Sequence, residues 1–135
     1  MKSFKIFDCF IFNNETLLTK LRFNILNEYV DYFVICEAGQ THKGEIKNYN
    51  FDIDKYKEFK DKIIYLKLEN FPESLNPWQR QDFQRNFLSE GIKIAKSNDI
   101  IIFSDADEIP NLSVLNENCQ KKISEGYVGI FQQYL

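Results

Sequence analysis

Apolar residues run along this chain in two periods. Lys5 to Phe12 (KIFDCFIF) is short and almost continuously apolar, which predicts a strand buried on both faces, as in a parallel sheet. Asn13 and Asn14 then offer a helix cap. Leu18, Leu21, Ile25 and Tyr29 recur at helical spacing, so the pattern predicts an amphipathic helix over Glu15–Tyr29. Tyr32 to Cys36 (YFVIC) predicts a second buried strand. Glu37 to Asn50 carries Gly39 and Gly44 without a period and reads as a loop. Ile53, Tyr56 and Phe59 predict a short helix over Asp52–Asp61, and Ile63 to Leu68 a third strand. Beyond a Pro-punctuated loop, Trp78 to Lys96 is the longest helical pattern, with Phe83, Phe87, Gly91 and Ile94 on one face. Asp99 to Phe103 (DIIIF) predicts a fourth buried strand, followed by the turn Ser104-Asp105-Ala106-Asp107-Glu108-Ile109-Pro110. Pro110 can open a helix running to about Glu125, with Leu112, Leu115, Cys119 and Ile123 inward. Tyr127 to Leu135 alternates like another strand.

Strands alternating with helices predict an α/β fold: a mostly parallel sheet with flanking helices. No repeat or linker divides residues 1–135, so a single domain is expected. In such sheets ligands bind at the carboxyl ends of the strands. Asp105, Asp107 and Glu108 follow directly on the fourth strand and fall where that rule puts chemistry.

Composition removes several classes. A net charge of −3 has the wrong sign for a non-specific nucleic-acid binder. No apolar run reaches the roughly 18 residues of a membrane helix, and Asp8 interrupts the first apolar stretch, which speaks against a signal peptide. A cytoplasmic chain, or one peripheral to a membrane, is expected. Cys9, Cys36 and Cys119 are widely spaced and odd in number, so they read as buried small side chains rather than a disulfide framework or zinc site.

The acidic turn carries the chemistry. Carboxylates two residues apart can converge where the chain bends, and such a cluster is repulsive until a cation neutralises it. Hard divalent ions prefer oxygen ligands, so Mg²⁺ or Mn²⁺ is the natural occupant of Asp105 and Asp107. Held this way, the ion keeps positions open for phosphate oxygens. Two other readings stand beside this one. The turn can be ordinary solvated capping chemistry. Alternatively, a strand followed by D-x-D is similar to the nucleophile motif of haloacid-dehalogenase-type phosphatases, although Ile109 departs from it.

Segments spread over nearly the whole chain resemble glycosyltransferase family 17. They are Asp8-Cys9-Phe10 with Phe12; Asn14-Glu15 followed by Leu17, Leu18 and Arg22; Val30 to Ile35 with Glu37; Thr41-His42 with Gly44 and Lys47; Trp78; Gln84-Arg85-Asn86; and Ser104 to Pro110. The loop Glu45 to Asn50 departs from the family's proline-rich tendency. The resemblance implies a GT-A-type, Rossmann-like nucleotide-sugar fold. It implies transfer of N-acetylglucosamine from a UDP-sugar donor to a glycan or glycoconjugate acceptor, with inversion and a divalent metal. It makes Asp105 and Asp107 the metal holders that touch the donor's ribose and diphosphate. Relatives are longer than this chain, so the acceptor-binding half and the catalytic base are expected beyond Leu135. The alternative to an enzyme is a nucleotide-sugar-binding module without turnover.

Further residues carry two readings each. Asp8 is a candidate for donor-base recognition, and needs a partner if buried. Glu37 can bond a uridine or ribose hydroxyl, or be a plain strand-end carboxylate. His42, in the THxG segment, is a candidate donor contact. Arg85, on the same long helix as Arg80, can pair with diphosphate oxygens, or pin Asp8 or Asp105; Gln84 and Asn86 share that ambiguity. Trp78 can stack on a base or sugar, or pack at its helix start.

Overall fold

A computed structural model describes residues 3–126; the expected strand at Tyr127–Leu135 lies outside the described residues. Four strands, β1 (Ile6–Phe12), β2 (Tyr32–Ala38), β3 (Ile63–Leu68) and β4 (Ile100–Phe103), pair in the order β3-β2-β1-β4. All three pairings are parallel. Helices α1 (Thr16–Leu26), α2 (Pro77–Phe87) and α3 (Glu117–Ser124) flank the sheet, with 3₁₀ segments at Ile53–Lys62, Leu88–Gly91 and Leu112–Val114. This is the α/β, Rossmann-like arrangement that the alternation of periods predicts.

The period of two divides β1 between two cores. Ile6, Phe10 and Phe12 join Phe33 and Ile35 of β2, Phe23 and Leu26 of α1, and Tyr56 and Phe59. Phe7 and Cys9 join Val34 and Cys36 on the other face, under Phe83 and Phe87 of α2 and Leu88. Asp8 shares the parity of Ile6 and Phe10 and so faces α1. The chain lays β1, β2 and β3 side by side, then returns to set β4 against the free edge of β1. Strand order reverses between β1 and β4, and a crevice opens beyond their carboxyl ends.

Five expectations change. Helix α1 is shorter than Glu15–Tyr29 and rotated: Thr19, Arg22, Phe23 and Leu26 are buried, while Leu21 is exposed. Neither Asn13 nor Asn14 caps it; Glu15 sits at the cap, and its carboxylate accepts the Asn13 and Asn14 N–H groups at 2.8 and 3.1 Å. The pattern over Trp78–Lys96 is α-helical only to Phe87, and Ile94 is exposed. Gly91 explains the early end: a Cβ there would stand 2.3 Å from Val34 Cγ1, so the chain leaves the helix to lie directly on the sheet. The helix expected from Pro110 divides into Leu112–Val114 and α3, because Asn111 and Asn116 each cap a new start by accepting from Ser113 N and Cys119 N. Finally, β4 is half-buried rather than buried: Ile100 is enclosed but Phe103 is 55% exposed.

Helix α2 starts where expected. Asn76 accepts from Gln79 N, and Gln79 Oε1 accepts from Asn76 N, a reciprocal cap followed by Pro77.

Candidate functional site

The segment after β4 folds back on itself. Glu108 N–H donates to the Asp105 carbonyl at 2.9 Å, and Asp105 N–H donates to Glu108 Oε1 at 2.8 Å. The turn therefore sends its three carboxylates one way, and one oxygen from each of Asp105, Asp107 and Glu108 lies within 4.8 Å of the others. Asp107 is exposed and its two companions half-buried.

Behind the turn sits Arg22, fully buried on α1. Its guanidinium clasps Asp8 with two bonds, Nη2 to Oδ1 at 2.6 Å and Nε to Oδ2 at 2.8 Å. Nη1 donates to the carbonyls of Asp105 (2.9 Å), Glu108 (2.8 Å) and Ala106 (3.3 Å), and Nη2 also donates to Ser104 Oγ. The group packs over the Phe10 ring with 4.7 Å to its centroid. Asp8 is 0% exposed with both oxygens taken. It cannot touch a ligand, which corrects the expectation that it meets the donor base.

In front of the turn, Arg85 Nη2 bonds Asp105 Oδ1 at 2.7 Å, both side chains nearly half exposed. The pinning of Asp105 expected of Arg85 is thus present, while Asp8 has Arg22 instead. A cleft of about 510 Å³ opens beside this pair, bounded by Cys9 and Ile11 of β1, Arg85 and Asn86 of α2, and Phe103 to Asp105. A smaller recess of about 270 Å³, walled by Glu15, Leu18 and Gln81, lies on the other side of Asp105 and Asp107. The acidic turn is the lip between them.

Glu37 has a different fate. It is 0% exposed and accepts from Lys47 Nζ (2.9 Å), Asn50 N (2.6 Å), Phe51 N (2.9 Å) and the Tyr65 hydroxyl (2.8 Å). Its carboxylate ties down the 39–50 loop, so the structure overturns the expected contact with a uridine or ribose hydroxyl. Burial first, then the hydrogen bond to Glu37, raises the Tyr65 phenol well above its ordinary range. His42 lines a third recess, about 200 Å³, with Glu15, Gln40, Lys47 and Gln84. Its Nε2 pairs with Gln84 Oε1 at 2.8 Å, and Gln84, buried, donates to the Cys36 carbonyl at 3.1 Å. Arg80 donates to the His42 carbonyl at 2.8 Å and shapes the loop rather than the cleft. Trp78 is 76% exposed, so it does not pack at its helix start. Cys9 and Cys36 are buried as expected; Cys119 is only partly so.

The donor set of the turn is all oxygen, and among the described residues no His or Cys joins the cluster. Opposite ligands of a Mg²⁺ or Mn²⁺ ion stand roughly 4 Å apart, close to the span seen here. Asp105, Asp107 and Glu108 therefore fit a hard divalent cation; the sequence reading set Glu108 beside the pair but named only Asp105 and Asp107 as metal holders. It missed Arg22, although Asp8 in an apolar strand called for a cation on the α1 face.

Comparison with known proteins gives the family. The β-1,4-mannosyl-glycoprotein 4-β-N-acetylglucosaminyltransferases of Homo sapiens and Rattus norvegicus are each 32% identical to this chain over 108 residues. That of Mus musculus is 31% identical over the same length. Each match covers 73% of this chain and 20% of the relative, so the chain spans about a fifth of the length of these curated relatives. No solved structure matches. The family profile of glycosyltransferase family 17 matches residues 1–125 and sets the phosphatase reading aside: the chain belongs to glycosyltransferase family 17.

Proposed function

We propose that this chain carries the nucleotide-sugar site of a GT-A-type N-acetylglucosaminyltransferase. In this reading it takes UDP-N-acetylglucosamine with Mn²⁺ or Mg²⁺ and passes the sugar, with inversion, to a hydroxyl of a glycan acceptor. The supporting observation is the convergence of Asp105, Asp107 and Glu108 on the lip of a cleft where strand order reverses. The names of the relatives supply the sugar and the acceptor class.

Asp105 and Asp107, with Glu108, would hold the metal, which when bound supplies Lewis-acid stabilisation of the departing diphosphate. Arg85, exposed on the same lip, offers a forked cation to phosphate oxygens. His42, its Nε2 held by buried Gln84, offers its other ring nitrogen to the nucleoside in the neighbouring recess. The acceptor oxygen attacks the anomeric carbon, the bond from that carbon to the phosphate oxygen breaks, and UDP leaves with the electron pair. The acceptor proton passes to a base. Charge builds on a carbocation-like sugar and on the diphosphate, so fixed charges at the cleft lower the barrier.

Calorimetric titration of UDP with and without Mn²⁺ tests the site. Binding is expected only with the metal, and it should vanish in Asp107→Ala. UDP that fails to bind with Mn²⁺ present contradicts the proposal. UDP release that depends on an N-glycan acceptor separates an enzyme from a binding module.

A further inference from the structure

We propose that Arg22 is a positioning residue for the metal site, holding the backbone of residues 104–108 so that the three carboxylates face one point. This deepens the donor-site reading and rests on it for the ligand, but not for the geometry.

Every N–H of the Arg22 guanidinium has a partner. Nε and one Nη2 hydrogen go to Asp8, the other Nη2 hydrogen goes to Ser104 Oγ, and Nη1 serves the carbonyls of Asp105, Ala106 and Glu108. Carbonyl oxygens that converge repel one another unless a cation sits among them. With the carbonyls of Asp105 and Glu108 drawn to Arg22, the backbone of the turn is held where one carboxylate oxygen from each, and one from Asp107, lie within 4.8 Å of one another. Asp8 fixes the fork in its plane through two bonds and neutralises its charge inside the core. Asp8 and Ser104 thus act on the metal site without reaching it. The arrangement requires Arg: a lysine ammonium has three donors on one atom and cannot span Asp8 and three carbonyls together.

The test separates hold from fold. Asp8→Leu with Arg22→Met removes both buried charges at once, a replacement that cores often tolerate. Native-state hydrogen exchange reads the Asp105 and Glu108 amides, both bonded within the turn, without any ligand. Calorimetry then reads UDP in the presence of Mn²⁺. The double variant is expected to melt cooperatively and to exchange both amides faster. It should bind UDP with Mn²⁺ roughly 10- to 100-fold more weakly, the usual loss when a partner behind a metal ligand is removed. Should it fail to fold, Arg22→Lys carries the same measurements; it keeps a cation against Asp8 and is expected to restore melting but not affinity. A folded variant with wild-type exchange and wild-type affinity overturns the proposal. If the unaltered chain does not bind UDP with Mn²⁺, the donor-site reading fails, and the exchange rates alone decide whether Arg22 holds the turn.

Discussion

Glu37 and Asp105 both stand at the carboxyl ends of parallel strands, β2 and just past β4, yet the protein treats them in opposite ways. Glu37 is closed from solvent and receives four hydrogen bonds from the chain itself. Asp105 is half-open; exposed Arg85 bonds its carboxylate, and two more carboxylates lie beside it. Burial of a charge demands internal donors, and Lys47, Tyr65 and the loop amides supply them at Glu37. At the acidic turn the internal donors of Arg22 are spent on carbonyls instead. Strand-end position alone therefore does not mark a ligand site; the two carboxylates differ in how far the chain itself encloses them.

Removing Glu37 gives the largest expected change in stability. Glu37→Ala leaves the Tyr65 hydroxyl and two amides without their acceptor and Lys47 with only the Ala38 carbonyl, and should cost about 3 kcal/mol in urea unfolding. A loss below about 1 kcal/mol would erase the contrast, because it would place Glu37 among surface charges.

The acidic turn should respond in the reverse sense. Asp107→Asn relieves repulsion at an exposed site, so unfolding stability should stay within about 0.5 kcal/mol or rise slightly. Over the same change, affinity for UDP with Mn²⁺ should fall by more than about 100-fold, beyond the usual loss for outer partners of a metal ligand.

Alkaline titration sharpens the comparison. Burial raises the thiols of Cys9 and Cys36 from 9.0 to about 12, and raises the Tyr65 phenol in the same direction. These groups stay protonated in the fold after they ionise in the unfolded chain. Their contribution is complete below about pH 9 and is lost as pH climbs toward about 12. Chemical denaturation across that range should show falling stability, and iodoacetamide at neutral pH should label Cys119 before either buried thiol.

Arg85→Ala is expected to change stability little as well. Its ion pair with Asp105 is exposed, so stability should change by less than about 1 kcal/mol. A larger loss would show that Asp105 depends on it as Asp8 depends on Arg22.

The strands were legible because Phe- and Ile-rich runs such as KIFDCFIF and IIYLKL have few other ways to be buried. Their order was not, since nothing in a strand's composition says which edge of β1 receives β4. The buried face of α1 lies one position from the apolar stripe Leu18, Leu21 and Ile25, because Arg22 turns inward to Asp8. Asp8 held the missing signal: an acid inside an apolar strand must meet a cation, and its parity faces α1, where Arg22 shares the side of Thr19 and Leu26. The convergence of Asp105 and Asp107 just past β4 was legible from motif and placement. The closure of Glu37 was not, since it depends on Lys47, Asn50 and Phe51 folding back over it.

Backbone amide spectra recorded while sub-stoichiometric Mn²⁺ is added test the central claim most directly, because the paramagnetic ion broadens only signals near it. Loss of signal should begin at residues 104–108 and the facing part of α2, and should disappear in Asp107→Ala. Broadening that starts elsewhere, or that survives the substitution, would contradict the account.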